Sequence, residues 1–362
     1  MKQWLILVSL LFSAITVLAE DFIVEEVASG FNYPWSIAFL PNGDYLVTEK
    51  AGGLIRLSAN GKEKTIIKNL PETLVKGQGG LAEVMLDTDF ATNQTVFITY
   101  AFGSGTSNHL KLISARLVND ELIDINELLI THPEKTTAFH YGARMAFLPD
   151  NTLLVSYGDG GSYRNEAQKL DNHFGKILRI NKDGSIPKDN PFINNKEARP
   201  EIYSYGHRNP QGLLVAPDGT IWSHEHGPKG GDELNIVKPG VNYGWPAITY
   251  GIDYNGSIIS PFKEAEGMEQ PIIYWVPSIA PAGMMRYDGK AFPQWQGDLF
   301  VSALAERTLR RLDMKENTVV AQEVLLNDRK DRLRDVRTGP DGFIYVLTDS
   351  YEGKVLRLKP KP

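Results

Sequence analysis

One short phrase recurs along this chain: a Pro-Asn-Gly, Pro-Asp-Gly or Pro-Asp-Asn turn, followed by a run of aromatic and β-branched residues. Such a turn between two apolar runs is typical of a β-hairpin. Clear copies occupy residues 39–48, 147–156, 215–223 and 338–347, and weaker copies occupy 86–100 and 295–302. The six turns are spaced by about 45 to 80 residues, within and somewhat above the period of propeller blades.

Second strands of several hairpins can also be recognised. Residues 53–57, 176–180, 309–312 and 354–358 alternate apolar and basic side chains, and the chain contains no long amphipathic helical pattern. We therefore predict an all-β fold, a six-bladed β-propeller over residues 20–362, with the loops of one end converging on the central channel. Two packed β-sandwich domains would also fit the strand content, but they would not explain a single recurring turn phrase.

Residues 1–19 have the pattern of a secretory signal peptide: one lysine, a short apolar core, and small residues at Val17 and Ala19. That core is too short for a membrane span, and no later segment has the roughly 20 apolar residues that a span requires. We expect an exported protein, periplasmic or secreted, without a membrane span.

The overall composition excludes several classes of function. The 38 Lys and Arg residues are outnumbered by 44 Asp and Glu residues, and no concentrated basic footprint suggests a nucleic-acid partner. The chain has no cysteine, which excludes disulfides, a thiolate metal site and a thiol nucleophile.

Polar chemistry is concentrated in residues 203–213, 223–235 and 242–246, where His, Arg, Asn, Asp and Glu are separated by Gly and Pro. Glycine lets backbone carbonyls approach a ligand, and calcium accepts carbonyl and carboxylate oxygens. Arg208 and Asn209 offer a planar donor set that suits a flat anion. A plain surface loop is the alternative reading. Four further polar segments, at 77–80, 139–144, 158–161 and 332–335, would lie in loops around the same end of the central channel in a propeller.

Taken in order, these segments resemble the soluble quinoprotein sugar dehydrogenases, specifically the aldose dehydrogenases that use pyrroloquinoline quinone (PQQ). The resemblance runs from about residue 30 to the C-terminus, and its most specific segments are residues 76–80, 205–212, 226–235 and 332–336. It implies a six-bladed propeller with the quinone across the top of the channel and calcium beside it. The implied reaction passes hydride from C1 of an aldose sugar to the quinone, and electrons then pass to an external acceptor.

The resemblance also assigns residues to the cofactor, which is a planar tricarboxylate. Guanidinium forks and amides suit such a ligand, and five residues of this kind match: Gln78, Arg208, Asn209, Arg332 and Arg334. Thr249 matches a further position near the cofactor.

His140 matches the general base of the family, which removes the proton of the C1 hydroxyl as hydride leaves. Asp159, in a Gly-Asp-Gly-Gly turn, could orient the imidazole through a hydrogen bond, although a plain turn aspartate would look the same.

For calcium, the resemblance implies the backbone carbonyls of Gly227 and Pro228, and a second ion at Glu233 and the main chain near Tyr243. A solvated Asp232–Glu233 pair is the alternative. Calcium next to the cofactor would polarise a quinone carbonyl.

One departure from the family concerns Ala305, where the glucose-oxidising branch carries a lysine that contacts the quinone. Backbone contact alone would remain at this position unless Arg307 reaches in, so cofactor affinity and sugar range are expected to differ. The sequence leaves open whether the chain is a monomer or a homodimer.

Two other functions use the same fold. A non-catalytic binding propeller would not need His140, Gln78 and the arginines together. A calcium-dependent lactone hydrolase would need an acidic side-chain cage, whereas the central segment supplies carbonyls and glycines.

Overall fold

The computed structural model of the protein describes residues 22–362, so the predicted signal peptide lies outside the described residues. The chain forms six four-stranded antiparallel sheets arranged as the blades of a propeller, and the predicted fold class is confirmed. The innermost strands of neighbouring blades contact one another around the central channel. No helix in residues 22–362 is long and apolar enough to cross a membrane.

The first strand along the chain, β1 (Phe22–Phe31), belongs to the last blade. The first three blades, each given from the channel outward, consist of β2 (Pro34–Phe39), β3 (Tyr45–Glu49), β4 (Leu54–Leu57) and β5 (Lys64–Ile66); β6 (Leu81–Leu86), β7 (Thr95–Ser104), β8 (Ser107–Val118) and β9 (Glu121–Ile130); and β10 (Met145–Phe147), β11 (Leu153–Tyr157), β12 (Lys176–Ile180) and β13 (Ile202–Tyr205).

Blades four and five consist of β14 (Pro210–Val215), β15 (Ile221–Glu225), β16 (Asp232–Val237) and β17 (Ile273–Trp275), and of β18 (Pro281–Arg286), β19 (Leu299–Ala303), β20 (Leu309–Lys315) and β21 (Thr318–Leu325). Blade six contains β22 (Leu333–Thr338), β23 (Ile344–Thr348), β24 (Gly353–Pro360) and β1. Within residues 22–362, helical structure is limited to α1 (Phe90–Asn93) and two 3₁₀ turns, Arg164–Gln168 and Pro293–Trp295.

Blade six closes the ring because it is built from both ends of the chain. Strand β1 pairs antiparallel with β24, with Phe22 opposite Pro360. A propeller closed in this way hydrogen-bonds the two ends of the chain to each other instead of leaving the first and last blades joined by packing alone.

All six copies of the turn phrase lie between the first and second strands of a blade. In blade one, for example, the Leu40 amide donates to the Asp44 carbonyl at 2.8 Å and closes the hairpin. Because the strands of each blade run antiparallel, the connections from second to third strand and from one blade to the next lie at the opposite end. The loops of that opposite end carry the polar segments that the sequence analysis singled out.

A fully buried arginine lies in the channel beneath that end. Arg144, just before β10, places Nη1 3.1 Å from Asp335 and 3.5 Å from Glu83. Its Nε donates to the Gln211 carbonyl at 2.8 Å, its guanidinium lies 4.1 Å from the centre of the Trp35 ring, and its Nη2 reaches a carbonyl of blade five at 3.3 Å. One side chain from blade three thus contacts all five other blades.

Candidate active site

Nine of the thirteen predicted site residues come from the two kinds of connection that lie opposite the turn phrases, whereas Arg334 and Glu233 are on strands, and residues 243 and 249 lie between β16 and β17. Connections between blades carry Gln78, His140, Arg208, Asn209 and Arg332. Connections from second to third strand carry Asp159, Gly227, Pro228 and Ala305. Residues that are far apart in the sequence therefore meet at one end of the channel, as expected for a propeller.

A cavity of about 260 Å³ opens at this end. Four predicted cofactor residues line it together: Gln78, Asn209, Arg332 and Arg334. Its walls also include the flat or apolar side chains of Trp35, Tyr141 and Leu304. A cavity with planar apolar walls and a few convergent polar groups is the usual form of a small-molecule site.

The charged wall of this cavity carries more positive than negative charge. Arg332 and Arg334 both pair with Asp349, at 3.1 and 3.0 Å. Burial by itself would raise the pKa of Asp349, but the two guanidinium charges outweigh it and the pKa is lowered. Lys50 lines the same cavity, so three cations face a single carboxylate. This surplus favours an anionic ligand.

His140 and Asp159 form a hydrogen-bonded pair beside the cavity. His140 Nδ1 lies 2.6 Å from Asp159 Oδ1, which also accepts the Gly161 amide at 2.8 Å. Because a carboxylate can only accept at this contact, Nδ1 carries the proton and Nε2 is left unprotonated. Burial lowers the pKa of His140, and the hydrogen bond to Asp159 offsets this only in part. A neutral imidazole with a fixed tautomer is suited to act as a base.

The loop that carries His140 is held from two sides. Gln78 accepts the His140 amide hydrogen through its side-chain oxygen at 2.8 Å, which links the cavity to His140. Below the loop, the buried ammonium of Lys135 donates to the Phe139 carbonyl and lies 3.3 Å from the centre of the Tyr141 ring. His140 itself has a φ of 50°, a left-handed conformation that a non-glycine residue rarely adopts without such support.

A second, much smaller cavity of about 10 Å³ adjoins the first, and His226 lines both. Its lining brings together predicted metal and cofactor residues: Arg208, Gly227, Glu233, Tyr243 and Thr249. Arg208 and Thr249 therefore lie with the residues predicted for calcium and not along the larger cavity.

Arg208 is buried, and only some of its hydrogen-bond donors have a partner. Its Nη1 donates to the carbonyls of Gly227 at 2.7 Å and His226 at 3.0 Å, while its Nε is buried with no hydrogen-bond partner. The Gly227 carbonyl that was predicted for calcium is thus engaged by this guanidinium.

Two carboxylates face each other at the small cavity, since Glu225 on β15 is directly opposite Glu233 on β16. Glu225 accepts the backbone amides of Arg208 and Asn209. Burial and the neighbouring charge of Glu225 raise the pKa of Glu233 to about 8. Within residues 22–362, no group of three or more His, Asp or Glu side chains is arranged to hold a metal. A cation here would therefore depend on this carboxylate pair and on backbone carbonyls.

Besides His140 and Asp159, three residues that the sequence analysis considered for cofactor or calcium binding line neither cavity: Ala305, Arg307 and Pro228. Ala305 is exposed after β19, where its amide donates to the Ile279 carbonyl at 3.0 Å, and its neighbour Leu304 lines the larger cavity instead. Arg307 donates to the Lys330 carbonyl at 3.4 Å and does not line the cavity. Pro228 is buried beside Gly227 but lines neither cavity.

Sequence reasoning missed several residues of the site: Lys50, Lys135, His226, Trp245 and Asp349. Lys50, His226 and Asp349 each directly follow the second strand of a blade, as Asp159 nearly does. That shared blade position is a signal that could have identified them once the blades were aligned. Nothing around Lys135 in the sequence marks it.

Comparison with known proteins identifies relatives over almost the whole chain. A family model described as glucose/sorbosone dehydrogenase matches residues 31–357. The aldose sugar dehydrogenase YliI of Escherichia coli is 39% identical over 345 residues, which cover 93% of this chain and 93% of that protein.

Solved structures agree with this result. The apo-form of the soluble aldose sugar dehydrogenase from Escherichia coli matches with a TM-score of 0.90 and 38% identity, over 94% of this chain and 100% of that one. The PQQ-bound aldose sugar dehydrogenase of Streptomyces coelicolor matches with a TM-score of 0.76 and 27% identity, over 94% of this chain and 98% of that one.

Proposed function

This chain belongs to the glucose/sorbosone dehydrogenase family, and from that premise we propose that it oxidises aldose sugars at C1 to lactones with PQQ as its bound electron acceptor. The observation that carries the proposal is the His140–Asp159 pair beside a cavity with surplus positive charge. The pair supplies a base, and the cavity supplies a site for a flat anion.

The residues present fit PQQ, which has three carboxylates on a planar frame. Arg332 and Arg334 can each offer a guanidinium to a carboxylate, and Asn209 and Gln78 add amide groups along the same cavity. The buried Nε of Arg208, which has no hydrogen-bond partner, adds an unused donor next to this cavity. When bound, PQQ supplies a quinone that takes up the hydride lost from the sugar C1.

Residues of this chain accept the proton that the sugar hydroxyl loses. Nε2 of His140 accepts the proton of the C1 hydroxyl, and Asp159 stabilises the imidazolium that results through Nδ1. Lowering the pKa of His140 keeps the imidazole neutral and ready to accept that proton near pH 7. The apolar rings of Trp35 and Tyr141 help to exclude water from the cavity.

We include calcium in the proposal because Glu225 and Glu233 face each other at the small cavity. Burial, and after it the charge of Glu225, raises the pKa of Glu233, and a divalent cation would offset both effects. The Gly227 carbonyl already accepts a hydrogen bond from Arg208, and Pro228 and Tyr243 are the other residues that the sequence analysis assigns to calcium. Thr249, which the sequence analysis assigns to the cofactor, lines the same small cavity as Tyr243. Calcium beside the quinone would act as a Lewis acid.

The remaining parts of the proposal come from the sequence. Residues 1–19 predict export to the periplasm or beyond the cell. Electrons would then pass to an external acceptor, and the protein would act as a monomer or a homodimer.

The two alternative functions have less support. A binding propeller needs no neutral histidine held by a buried aspartate. A calcium-dependent lactone hydrolase needs an acidic cage, and among the described residues two glutamates face each other without a third acidic ligand.

Reconstitution tests the proposed function. Purified apoprotein is mixed with PQQ and calcium, and dye reduction is followed with glucose, galactose, xylose and maltose. We expect reduction that requires PQQ, with kcat/KM values within about 100-fold of one another, because Ala305 adds no charged group to the cavity that a wrong sugar would leave unpaired. If protein with bound PQQ reduces no dye with any aldose, the proposal fails.

A further inference from the structure

Lys50 lines the cavity that holds Arg332 and Arg334, although no sequence motif marked it. We propose that Lys50 is a third cationic ligand of the cofactor, and that it supplies from blade one the positive charge that Ala305 does not supply from blade five. The inference rests on the proposed function, because it takes the tricarboxylate PQQ as the ligand.

The charge balance of the cavity carries the argument. Asp349 is shared by Arg332 and Arg334, at 3.1 and 3.0 Å, so it cannot neutralise Lys50 as well. The Lys50 ammonium is half-buried and is repelled by both guanidinium groups, and Asp349 is the one attracting charge that acts on it. Burial of the ammonium, together with the repulsion from Arg334 and Arg332, lowers the pKa of Lys50. Such an arrangement is unfavourable for the protein alone and becomes favourable once an anion occupies the cavity.

The backbone of Lys50 is fixed, so its side chain starts from a defined position at the cavity. Its amide donates to the Tyr33 carbonyl at 3.0 Å. On the other side, a Cβ at Gly80 would lie 2.2 Å from the Lys50 carbonyl oxygen and 2.7 Å from its Cγ. Only glycine fits there, which gives a physical reason for the last residue of the Lys-Gly-Gln-Gly-Gly segment.

The location in the ring also fits. Blades six and one are neighbours, because β22 contacts β2, so Lys50 extends the cationic wall of Arg332 and Arg334 onto the next blade. In the glucose-oxidising branch the extra lysine corresponds to Ala305, on the blade that precedes blade six. In the proposed arrangement, this chain places its third positive charge on the other side of the arginine pair.

Direct titration of apoprotein with PQQ, followed by quenching of tryptophan fluorescence, tests this inference without measuring catalysis. Trp35 lines the cavity and serves as a reporter. We expect Lys50→Gln to raise the Kd for PQQ at least tenfold and Lys50→Arg to change it less than about threefold. Lys62→Gln, the same change at an exposed lysine of blade one, should leave the Kd unchanged.

Two further variants test whether a change in Kd comes from the lost charge and not from a loss of fold. Lys50→Met should behave as Lys50→Gln does, and far-ultraviolet circular dichroism of both identifies any loss of fold. Adding Ala305→Lys to Lys50→Gln should recover at least half of the lost binding free energy if charge is the cause. Wild-type protein that fails to bind PQQ overturns the proposed function. Normal wild-type binding with an unchanged Kd in folded Lys50→Gln or Lys50→Met overturns the role of Lys50 alone.

Discussion

Trp245 donates its indole N–H to Oδ2 of Asp159 at 2.8 Å, which leaves Oδ1 of the same carboxylate to His140. Each oxygen is thus fixed by a different loop: Oδ2 by a loop of blade four, and Oδ1 by the connection between blades two and three. The aspartate cannot rotate without losing one partner, so the imidazole is oriented by a rigid support. A plain turn aspartate would have no need of this second contact.

Replacing the base tests its role. His140→Gln should lower kcat by about 10²- to 10⁴-fold, the range typical for loss of a general base, and leave the Kd for PQQ within about threefold. Steady-state kinetics and fluorescence titration measure the two quantities. His109, which lies outside both cavities, provides the matched control in His109→Gln. A kcat within threefold of wild type would contradict the assignment.

The pH profile tests the aspartate. Because burial lowers the pKa of His140, the acid limb of kcat/KM should lie below the ordinary histidine value of 6.5. The hydrogen bond to Asp159 raises that pKa, so Asp159→Asn should move the limb to still lower pH while kcat falls. Measuring kcat/KM from pH 4 to pH 9 for wild type and Asp159→Asn shows in which direction the acid limb moves. A limb that moves upward would show that Asp159 does not support the imidazolium.

Arg332 and Arg334 should contribute unequally to cofactor affinity. The Arg334 side chain is 12% exposed and the Arg332 side chain is 45% exposed, so solvent screens Arg332 more. Arg334→Ala should weaken PQQ binding by about 1.5–3 kcal/mol, and Arg332→Ala by less. Arg56→Ala, which breaks ion pairs with Asp44 and Asp120 away from the cavity, is the control for titration. Equal affinities in all of these proteins would exclude the arginines as ligands.

Glu233 should make the apoprotein less stable as pH rises. Its pKa is raised from 4.5 to about 8, so the folded state holds a proton that the unfolded chain has lost, and stability falls between these two values. Glu233→Gln should flatten the dependence of Tm on pH over this window, and the exposed Glu264→Gln should not. Calcium should raise the Tm of wild type at pH 8 more than that of Glu233→Gln. Parallel pH curves for wild type and Glu233→Gln would contradict the buried-carboxylate account.

Arg144 should matter for stability without touching the ligand. Arg144→Met leaves Glu83 and Asp335 buried in the channel, although Arg337 still pairs with both. We expect a loss of about 3 kcal/mol in the free energy of unfolding, near the lower end of the cost of breaking a buried pair. Urea unfolding measures this loss, with Arg56→Met as the partly exposed counterpart, which is expected to lose about 1 kcal/mol or less. Equal losses of unfolding free energy in Arg144→Met and Arg56→Met would show that the burial of Arg144 is unimportant for stability.

The fold could be predicted because its main signal is local. A turn phrase specifies its own hairpin through residues within ten positions of one another, and six copies mark all six blades. The pairing of β1 with β24 was not predicted, because it joins residues more than 300 positions apart and no local pattern records it.

Only part of the site was predicted from the sequence, and there is a physical reason why the other residues were missed. Gln78, Asn209, Arg332 and Arg334 stand in Gly-rich or Arg-rich segments, and they do meet around one cavity. Thr249 and Ala305 were placed by resemblance alone, and neither lines that cavity. Single residues such as Lys50 acquire a role only through charges contributed by another blade, which the sequence around them does not contain.

The β1–β24 pairing also sets the time at which a molecule can become active. The strand that completes blade six is the first to be made, but the blade that carries Arg332, Arg334 and Asp349 is the last. A nascent chain that has synthesised five blades still lacks the cationic wall, and its first strand has no partner. A chain released by the ribosome before residue 332 has none of these three residues, and a fragment trimmed of β24 keeps them but loses the partner of β1. We therefore expect stable cofactor binding only in molecules that contain the whole of blade six.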